Sequence, residues 1–140
     1  MKRNVVLSIL GRQNYVGQEP DTIELLTEGI LEQTPAGWLL TYEESSLTGL
    51  EGVNTTFLIE GSTVTLTRSG KLNSQMVFRE GVPHDSLYQM EFGTFMLTVC
   101  ATKVAAEITD EGGTIDLVYS IEIEQNAAGV IEYHLDIKGK

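Results

Sequence analysis

The sequence predicts an all-β fold, a single antiparallel β-barrel of about 8–10 strands that occupies residues 1–140 as one domain. Glycines recur at roughly ten-residue intervals between short runs rich in Val, Ile, Thr, Tyr and Phe. Within these runs apolar and polar side chains alternate, which is the period of a half-buried strand. Evenly spaced short strands are typical of a sandwich or a barrel, and closure into a barrel removes the two exposed edges of an open sheet.

Ten runs of this kind follow one another along the chain. In the first half the candidate strands are Asn4–Arg12, Thr22–Gln33, Trp38–Ser46, Asn54–Glu60 and Thr63–Ser69. In the second half they are Ser74–Arg79, Ser86–Glu91, Thr94–Ile108, Thr114–Glu124 and Val130–Lys138. The prolines agree with these bounds, because Pro20 and Pro35 precede strands and Pro83 lies in an expected turn.

Some of these segments invite a second interpretation. The run Thr94–Ile108 is long for one strand, so we expect a β-bulge or a bend inside it. A helix is the rival interpretation for Ala101–Ile108, where Ala and Glu favour it, and for Asp21–Glu28, where Asp21 could act as the N-cap. Hairpin turns are expected at Glu60-Gly61 and from Asn126 to Gly129.

Alternation assigns the two faces of the last strands. One face of the ninth run carries only apolar or aromatic side chains and is assigned to the core: Ile115, Leu117, Tyr119, Ile121 and Ile123. The tenth run repeats the pattern with an inward face of Ile131, Tyr133, Leu135 and Ile137. Its opposite face carries His134, which we therefore expect at the surface.

Polar residues interrupt the core-facing rows at three positions, and these positions form the candidate site. Glu44 ends the row that contains Tyr42, Arg68 ends the inward row of the fifth run, and Thr55 lies inside that of the fourth. Burying a polar group without a partner costs ~1–3 kcal/mol. We hypothesise that Glu44, Arg68 and Thr55, with Tyr42, converge at one end of the barrel and line a ligand-binding pocket mouth. Two alternatives stay open: a structural ion pair that closes the barrel end, and exposed strand ends that never meet.

The charge and the cysteine content exclude several partners. The net charge is −11, from 20 Asp and Glu against 9 Lys and Arg. Nucleic acids and anionic membrane surfaces are bound by clustered basic residues, so we expect no nucleic acid and no membrane as a partner. Cys100 is a lone cysteine that we expect to be buried and inert. With no run long enough to span a membrane, the expected location is cytoplasmic.

Catalytic, metal and cofactor motifs are not recognisable in the sequence. His84 and His134 lie far apart, and with a single cysteine no pair has the spacing of a structural zinc site. His84-Asp85-Ser86 has the letters of a hydrolytic triad, but neighbours on an extended segment point to opposite sides and cannot form the relay. A phosphate-binding loop and a dinucleotide fingerprint are also absent. We therefore predict neither a metal nor a cofactor.

Several short motifs resemble those of the YwiB-like family of small bacterial proteins. They are Thr41-Tyr42-Glu43-Glu44, Asn54-Thr55-Thr56, Val64-x-Leu66-x-Arg68-Ser69-Gly70, Met76-Val77-Phe78, and Leu117-x-Tyr119-x-Ile121 with Gly129. The resemblance runs over nearly the whole chain. It implies a lipocalin-like or calycin-like barrel in the bacterial cytoplasm, and it carries no catalytic residues over to this sequence.

Three functions are compatible with this interpretation. The first is binding of a small ligand in the barrel interior or mouth, which predicts a cavity lined by Trp38, Tyr42, Phe57, Tyr119 and Tyr133. The alternative is a structural or protein-interaction module, with a homodimer as its simplest form. An enzyme with Glu44 as general base and Arg68 as the binder of an anionic group has the least support from the sequence.

Overall fold

The computed structural model describes residues 2–44 and 51–140. Within these ranges the chain forms ten strands and no helix: β1 (Lys2–Tyr15), β2 (Asp21–Thr34), β3 (Gly37–Glu43), β4 (Val53–Glu60), β5 (Thr63–Gly70), β6 (Leu72–Phe78), β7 (Pro83–Met90), β8 (Gly93–Thr109), β9 (Gly112–Ile123) and β10 (Asn126–Gly139). The described part of the chain accordingly has no helix that could cross a membrane. All neighbouring strands are antiparallel, and the sheet is closed. The predicted all-β antiparallel barrel is confirmed, with ten strands.

Closure joins the first strand to the last. β1 pairs with β2 on one side and with β10 on the other, so that Ile9 faces both Leu25 and Leu135. The pairing of β1 with β10 extends from Val5 opposite Gly139 to Tyr15 opposite Gly129. Every other strand pairs with its neighbours in the chain, so the barrel is an up-and-down meander without crossovers.

Both rival helix interpretations are wrong. Residues 21–28 belong to β2, and residues 101–108 belong to β8. Helix propensities differ by only ~0.7 kcal/mol per ordinary residue, which is less than the benefit of packing an inward apolar row against a core. In the second half of β8 that row is Val104, Ala106 and Ile108, and all three pack against the core.

The expected irregularity in the long strand is a β-bulge at Thr102. Ala101 lies opposite Tyr119 and Lys103 lies opposite Val118, so Thr102 is an additional residue in β8. Odd-numbered residues such as Val99 and Ala101 point inward before the bulge, and even-numbered residues such as Val104 do so after it. The bulge therefore switches the inward face in the middle of the strand.

Other local expectations need correction. The last hairpin turns at Glu124 and Gln125, both with positive φ, whereas Asn126 begins β10 and Gly129 lies inside it. Pro83 begins β7 rather than lying in a turn, and Cys100 is half-buried on the outer face rather than buried. The expected third strand extended to Ser46, but its last two residues lie outside the described residues.

The core fills only one half of the barrel. Large side chains with almost no exposure pack together there: Leu7, Leu40, Phe57, Leu66, Phe78, Leu117 and Leu135. This filled half lies toward the β2–β3, β4–β5 and β8–β9 connections. The opposite half, toward the β1–β2, β7–β8 and β9–β10 connections, contains the site described next.

Candidate functional site

A cavity of about 450 Å³ occupies the other half of the barrel. Its walls are mostly apolar: Ile9, Ile23, Leu25, Met76, Met90, Phe95, Leu97, Ile121, Ile123 and Ile131. Five tyrosines, Glu44 and Arg68 also line it: Tyr15, Tyr42, Tyr88, Tyr119 and Tyr133. This volume lies within the ~300–1,000 Å³ range of small-molecule sites, and the mixture of apolar walls with a few polar groups is typical of them.

A row of inward polar residues crosses four neighbouring strands, and two of its members, Tyr42 and Arg68, form the floor of the cavity. Tyr42 lies opposite Thr55, Thr55 lies opposite Arg68, and Arg68 lies opposite Ser74. We refer to these four residues as the polar row. Directly opposed residues on neighbouring strands have Cβ atoms only ~4.5–5.5 Å apart, so the strand register alone brings the four side chains together.

Glu44 follows the end of β3 and is held by hydroxyl groups of the polar row. Its side chain is buried, and its Oε2 accepts a hydrogen bond of 2.5 Å from Thr55 Oγ1. A hydrogen bond also links Glu44 to Tyr42. A buried carboxylate needs such donors, because an ionised group without partners is strongly disfavoured away from water.

Arg68 is the buried cation of the site. Its side chain is only 10% exposed, its Nε lies 3.9 Å from Glu44 Oε2, and its Nη2 donates a 3.3 Å hydrogen bond to the Tyr133 hydroxyl. Burial alone would lower the pKa of Arg68, but Tyr133, Tyr119 and Glu44 raise it, and the net shift is upward. Arg68 therefore stays charged at every physiological pH.

Four tyrosines of the cavity, Tyr15, Tyr42, Tyr88 and Tyr119, keep their phenolic protons. Burial is the largest cause that raises the pKa of Tyr42, Tyr119, Tyr15 and Tyr88, and nearby Glu44 or tyrosines raise it further. Each of these phenols therefore keeps its O–H near neutral pH. The cavity thus offers hydroxyl donors around the charged pair of Arg68 and Glu44.

All four residues of the predicted site meet in this half of the barrel. Glu44, Arg68 and Tyr42 line the cavity, and fully buried Thr55 supports Glu44 from behind. The alternative of strand ends that never meet is therefore wrong. Their use in binding a ligand stays a prediction.

The predicted wall residues fall into two groups. Tyr42, Tyr119 and Tyr133 line the cavity, but Trp38 and Phe57 do not. Phe57 lies in the filled half, where it packs with the core. Alternation identifies the inward face of a strand without fixing the height of a residue along the barrel axis, so it could not separate the two groups.

Sequence reasoning missed Ser74 and two of the tyrosines. Ser74 lies in the inward row of β6 between Leu72 and Met76, so it breaks the apolar pattern as Thr55 does and could have been found by the same signal. Tyr15 and Tyr88 give no such signal, because an inward tyrosine is compatible with an ordinary core.

In residues 2–44 and 51–140 no group of three or more His, Cys, Asp or Glu side chains is placed to hold a metal ion. His134 is on the outer wall, where it contacts Asp116 of β9 at 2.5 Å and Asp136 at 3.1 Å. Its surface position agrees with the alternation of β10.

The barrel is similar to a solved structure, the crystal structure of the ywiB protein from Bacillus subtilis, with a TM-score of 0.88. The match covers 99% of this chain and 93% of that chain at 19% sequence identity, and it therefore shows a common fold. No curated protein matches the sequence significantly. The model of the family described as "Domain of unknown function (DUF1934)" matches residues 7–137. The match covers most of the sequence and confirms the resemblance drawn from its motifs, so the chain belongs to the DUF1934 family.

Proposed function

We propose that this protein binds one small amphipathic molecule in the open half of its barrel. The observation that carries the proposal is the division of the interior, in which a packed core fills one half and a cavity of about 450 Å³ occupies the other. Small barrels are just wide enough to enclose one ligand, as in lipocalins. The apolar walls would hold the body of the molecule, and the polar row would hold its polar end.

The mouth of the cavity supports an apolar ligand body. Phe95 and Ile123 line the cavity and are 36% and 41% exposed, and Phe92 in the adjoining turn is 78% exposed. Apolar side chains that reach solvent at the rim of a concave site are typical of ligand-binding grooves. A molecule that entered here would cover part of this surface.

The two other functions have less support. An enzyme with Glu44 as general base would need a carboxylate available to a substrate, but Thr55 and Tyr42 already bond to this one. A homodimer would need a continuous apolar outer face. The exposed Leu26 of β2 has Glu24 and Glu28 on the same face of the strand, which interrupts such a surface.

A cytoplasmic location is part of the proposal. Cys100 is a free thiol that is not fully buried. A reducing compartment keeps such a thiol from oxidation, whereas an oxidising compartment would favour intermolecular disulfides.

Native mass spectrometry of protein purified from its own host tests the proposal. We expect the wild type to carry a non-covalent small molecule that is lost on unfolding. The variant Ile23→Trp places a large ring in the cavity wall and should lower the occupancy at least several-fold, because ligand and indole compete for the same volume.

Val82→Trp is the matched control. Val82 is exposed next to the start of β7, at the opposite end of the barrel, and this variant should keep the wild-type occupancy. A wild type that carries no molecule, or an occupancy that is equal in all three proteins, would contradict the proposed function.

A further inference from the structure

We propose that the ligand of this cavity carries a carboxylate, which Arg68 binds at the polar row while the apolar walls hold the rest of the molecule. The inference rests on the proposed function and adds the chemistry of the ligand's polar end. It follows from the hydrogen-bond donors of the site that have no partner among the described residues.

Two buried polar groups of the polar row have no hydrogen-bond partner among the described residues: Arg68 Nε and Ser74 Oγ. They belong to directly opposed residues of β5 and β6, and both side chains are at least nine-tenths buried. A guanidinium has five N–H donors and no acceptor, and a serine hydroxyl has one donor. Buried donors without partners are unusual in native structures, and Arg68 lines the cavity, so an acceptor bound there would satisfy its guanidinium.

Glu44 balances the charge of Arg68 without occupying its donors. The distance of 3.9 Å from Arg68 Nε to Glu44 Oε2 is too long for a hydrogen bond. The same oxygen accepts the hydrogen bond of Thr55, and Tyr42 is the second group bonded to this carboxylate. Glu44 is therefore engaged by hydroxyl donors, while Arg68 retains donors for a ligand.

Tyr133 extends this donor surface. Its hydroxyl oxygen accepts the hydrogen bond from Arg68 Nη2, so its own O–H can donate to an acceptor placed beside the guanidinium. Arg68 and Tyr133 thus direct donors from β5 and β10 toward one region of the cavity. A group that binds there must accept several hydrogen bonds at once.

A carboxylate satisfies this requirement better than an uncharged or a cationic polar end. Its two oxygens accept about four hydrogen bonds, and its plane matches the fork of a guanidinium. An alcohol accepts fewer bonds and carries no charge, and a primary amide presents its own donors to a floor of donors. An amine is a donor only and would be repelled by Arg68.

Calorimetric titration with four probes of equal chain length tests the inference: decanoate, decanamide, decanol and decylamine, at neutral pH and physiological salt. We expect decanoate to bind the wild type roughly 10- to 100-fold more tightly than decanol, as for hydrogen bonds to a charged group. Arg68→Met should remove this preference while decanol binding is kept, because the walls are unchanged. Tyr133→Phe should reduce decanoate affinity roughly 2- to 10-fold, as for a neutral hydrogen bond.

Arg79→Met is the matched control, since Arg79 is an exposed arginine whose Nε donates to Thr63 outside the cavity. It should keep the wild-type preference. Tyr133→Phe preserves the buried charge and keeps the inference testable if Arg68→Met does not fold. The carboxylate would be ruled out by equal affinity for decanoate and decanol, by tighter binding of decylamine, or by a preference for decanoate that survives in the variants. Each of these results would leave the proposed function supported. Binding of none of the probes would contradict both.

Discussion

Among single side chains, Thr55 has the clearest structural role that can be tested without a ligand. It is fully buried, and its hydroxyl donates to Glu44 Oε2. Thr55→Val keeps the shape of the side chain but removes the donor, so a buried carboxylate loses one of its partners. We expect the free energy of unfolding to fall by roughly 1–3 kcal/mol in urea denaturation.

Two variants of the same strand serve as controls for this prediction. Thr55→Ser keeps the hydroxyl and should restore part of the lost stability. Thr56→Val makes the same exchange at the neighbouring, partly exposed position on the outer face and should change the stability by less than about 0.5 kcal/mol. If Thr55→Val and Thr56→Val were equally stable, the buried hydrogen bond would contribute nothing.

These residues also show which parts of the site could be predicted from the sequence. Glu44, Thr55 and Arg68 could be found because each places a polar side chain on an otherwise apolar face, and burial makes such a break costly. Tyr15 and Tyr88 could not, because an inward tyrosine does not break the pattern. The strand register, which sets Thr55 opposite Arg68, depends on pairing between distant segments and is not encoded in alternation.

At the level of elements, the bulge in β8 should tolerate a one-residue deletion that strict alternation alone would predict to be disruptive. Deletion of Thr102 leaves Ala101 and Val104 on the inward face and makes the pairing with β9 regular. We therefore expect this variant to fold. Its stability should fall by roughly 1–3 kcal/mol, because straightening the strand displaces the hydrogen bond from the Val104 amide to the Glu80 carboxylate.

Deletion of Thr98 is the matched control in the same strand. It shifts one part of β8 by a single residue, which moves either Leu97 or the row of Val99 and Ala101 from the core to the outer face. Circular dichroism and urea unfolding should show that this variant does not fold cooperatively. A Thr102 deletion as damaging as the Thr98 deletion would contradict the assigned position of the bulge.

The strands could be predicted where apolar and polar residues alternate strictly. The prediction failed where local backbone geometry determines the structure. β9 and β10 show the inward rows expected for them, including buried Leu117 and Leu135. The last turn lies earlier in the chain than predicted, because Glu124 and Gln125 adopt positive φ, although neither is a typical residue for that region. The bulge was expected from the length of β8, but its position depends on the pairing partner.

For the whole molecule, the barrel must fold against a net charge of −11, and repulsion among carboxylates disfavours its compact state. On the outer wall one group partly opposes this repulsion near neutral pH. The hydrogen bond to Asp116 is the largest cause that raises the pKa of His134 above its usual 6.5. Burial acts in the opposite direction, and the charges of Asp116 and Asp136 raise the pKa further.

This shift predicts how the stability of the barrel depends on pH. A histidine whose pKa is raised by folding contributes fully below its unfolded pKa, and the contribution is lost as the pH rises through the folded value. The free energy of unfolding should therefore decrease from about pH 6 to about pH 8. Because the ring of His134 is 40% exposed, we expect a change below about 1 kcal/mol that shrinks at high salt.

Urea unfolding across this pH range, with three variants, isolates the contribution. His134→Gln and Asp116→Asn should each flatten the decrease, since the first removes the titrating ring and the second removes its main partner. Asp21→Asn makes the same charge change at an exposed position at the start of β2 and should retain the wild-type slope. If His134→Gln kept that slope as well, the pH dependence would arise from the overall charge of the barrel rather than from this pair between β9 and β10.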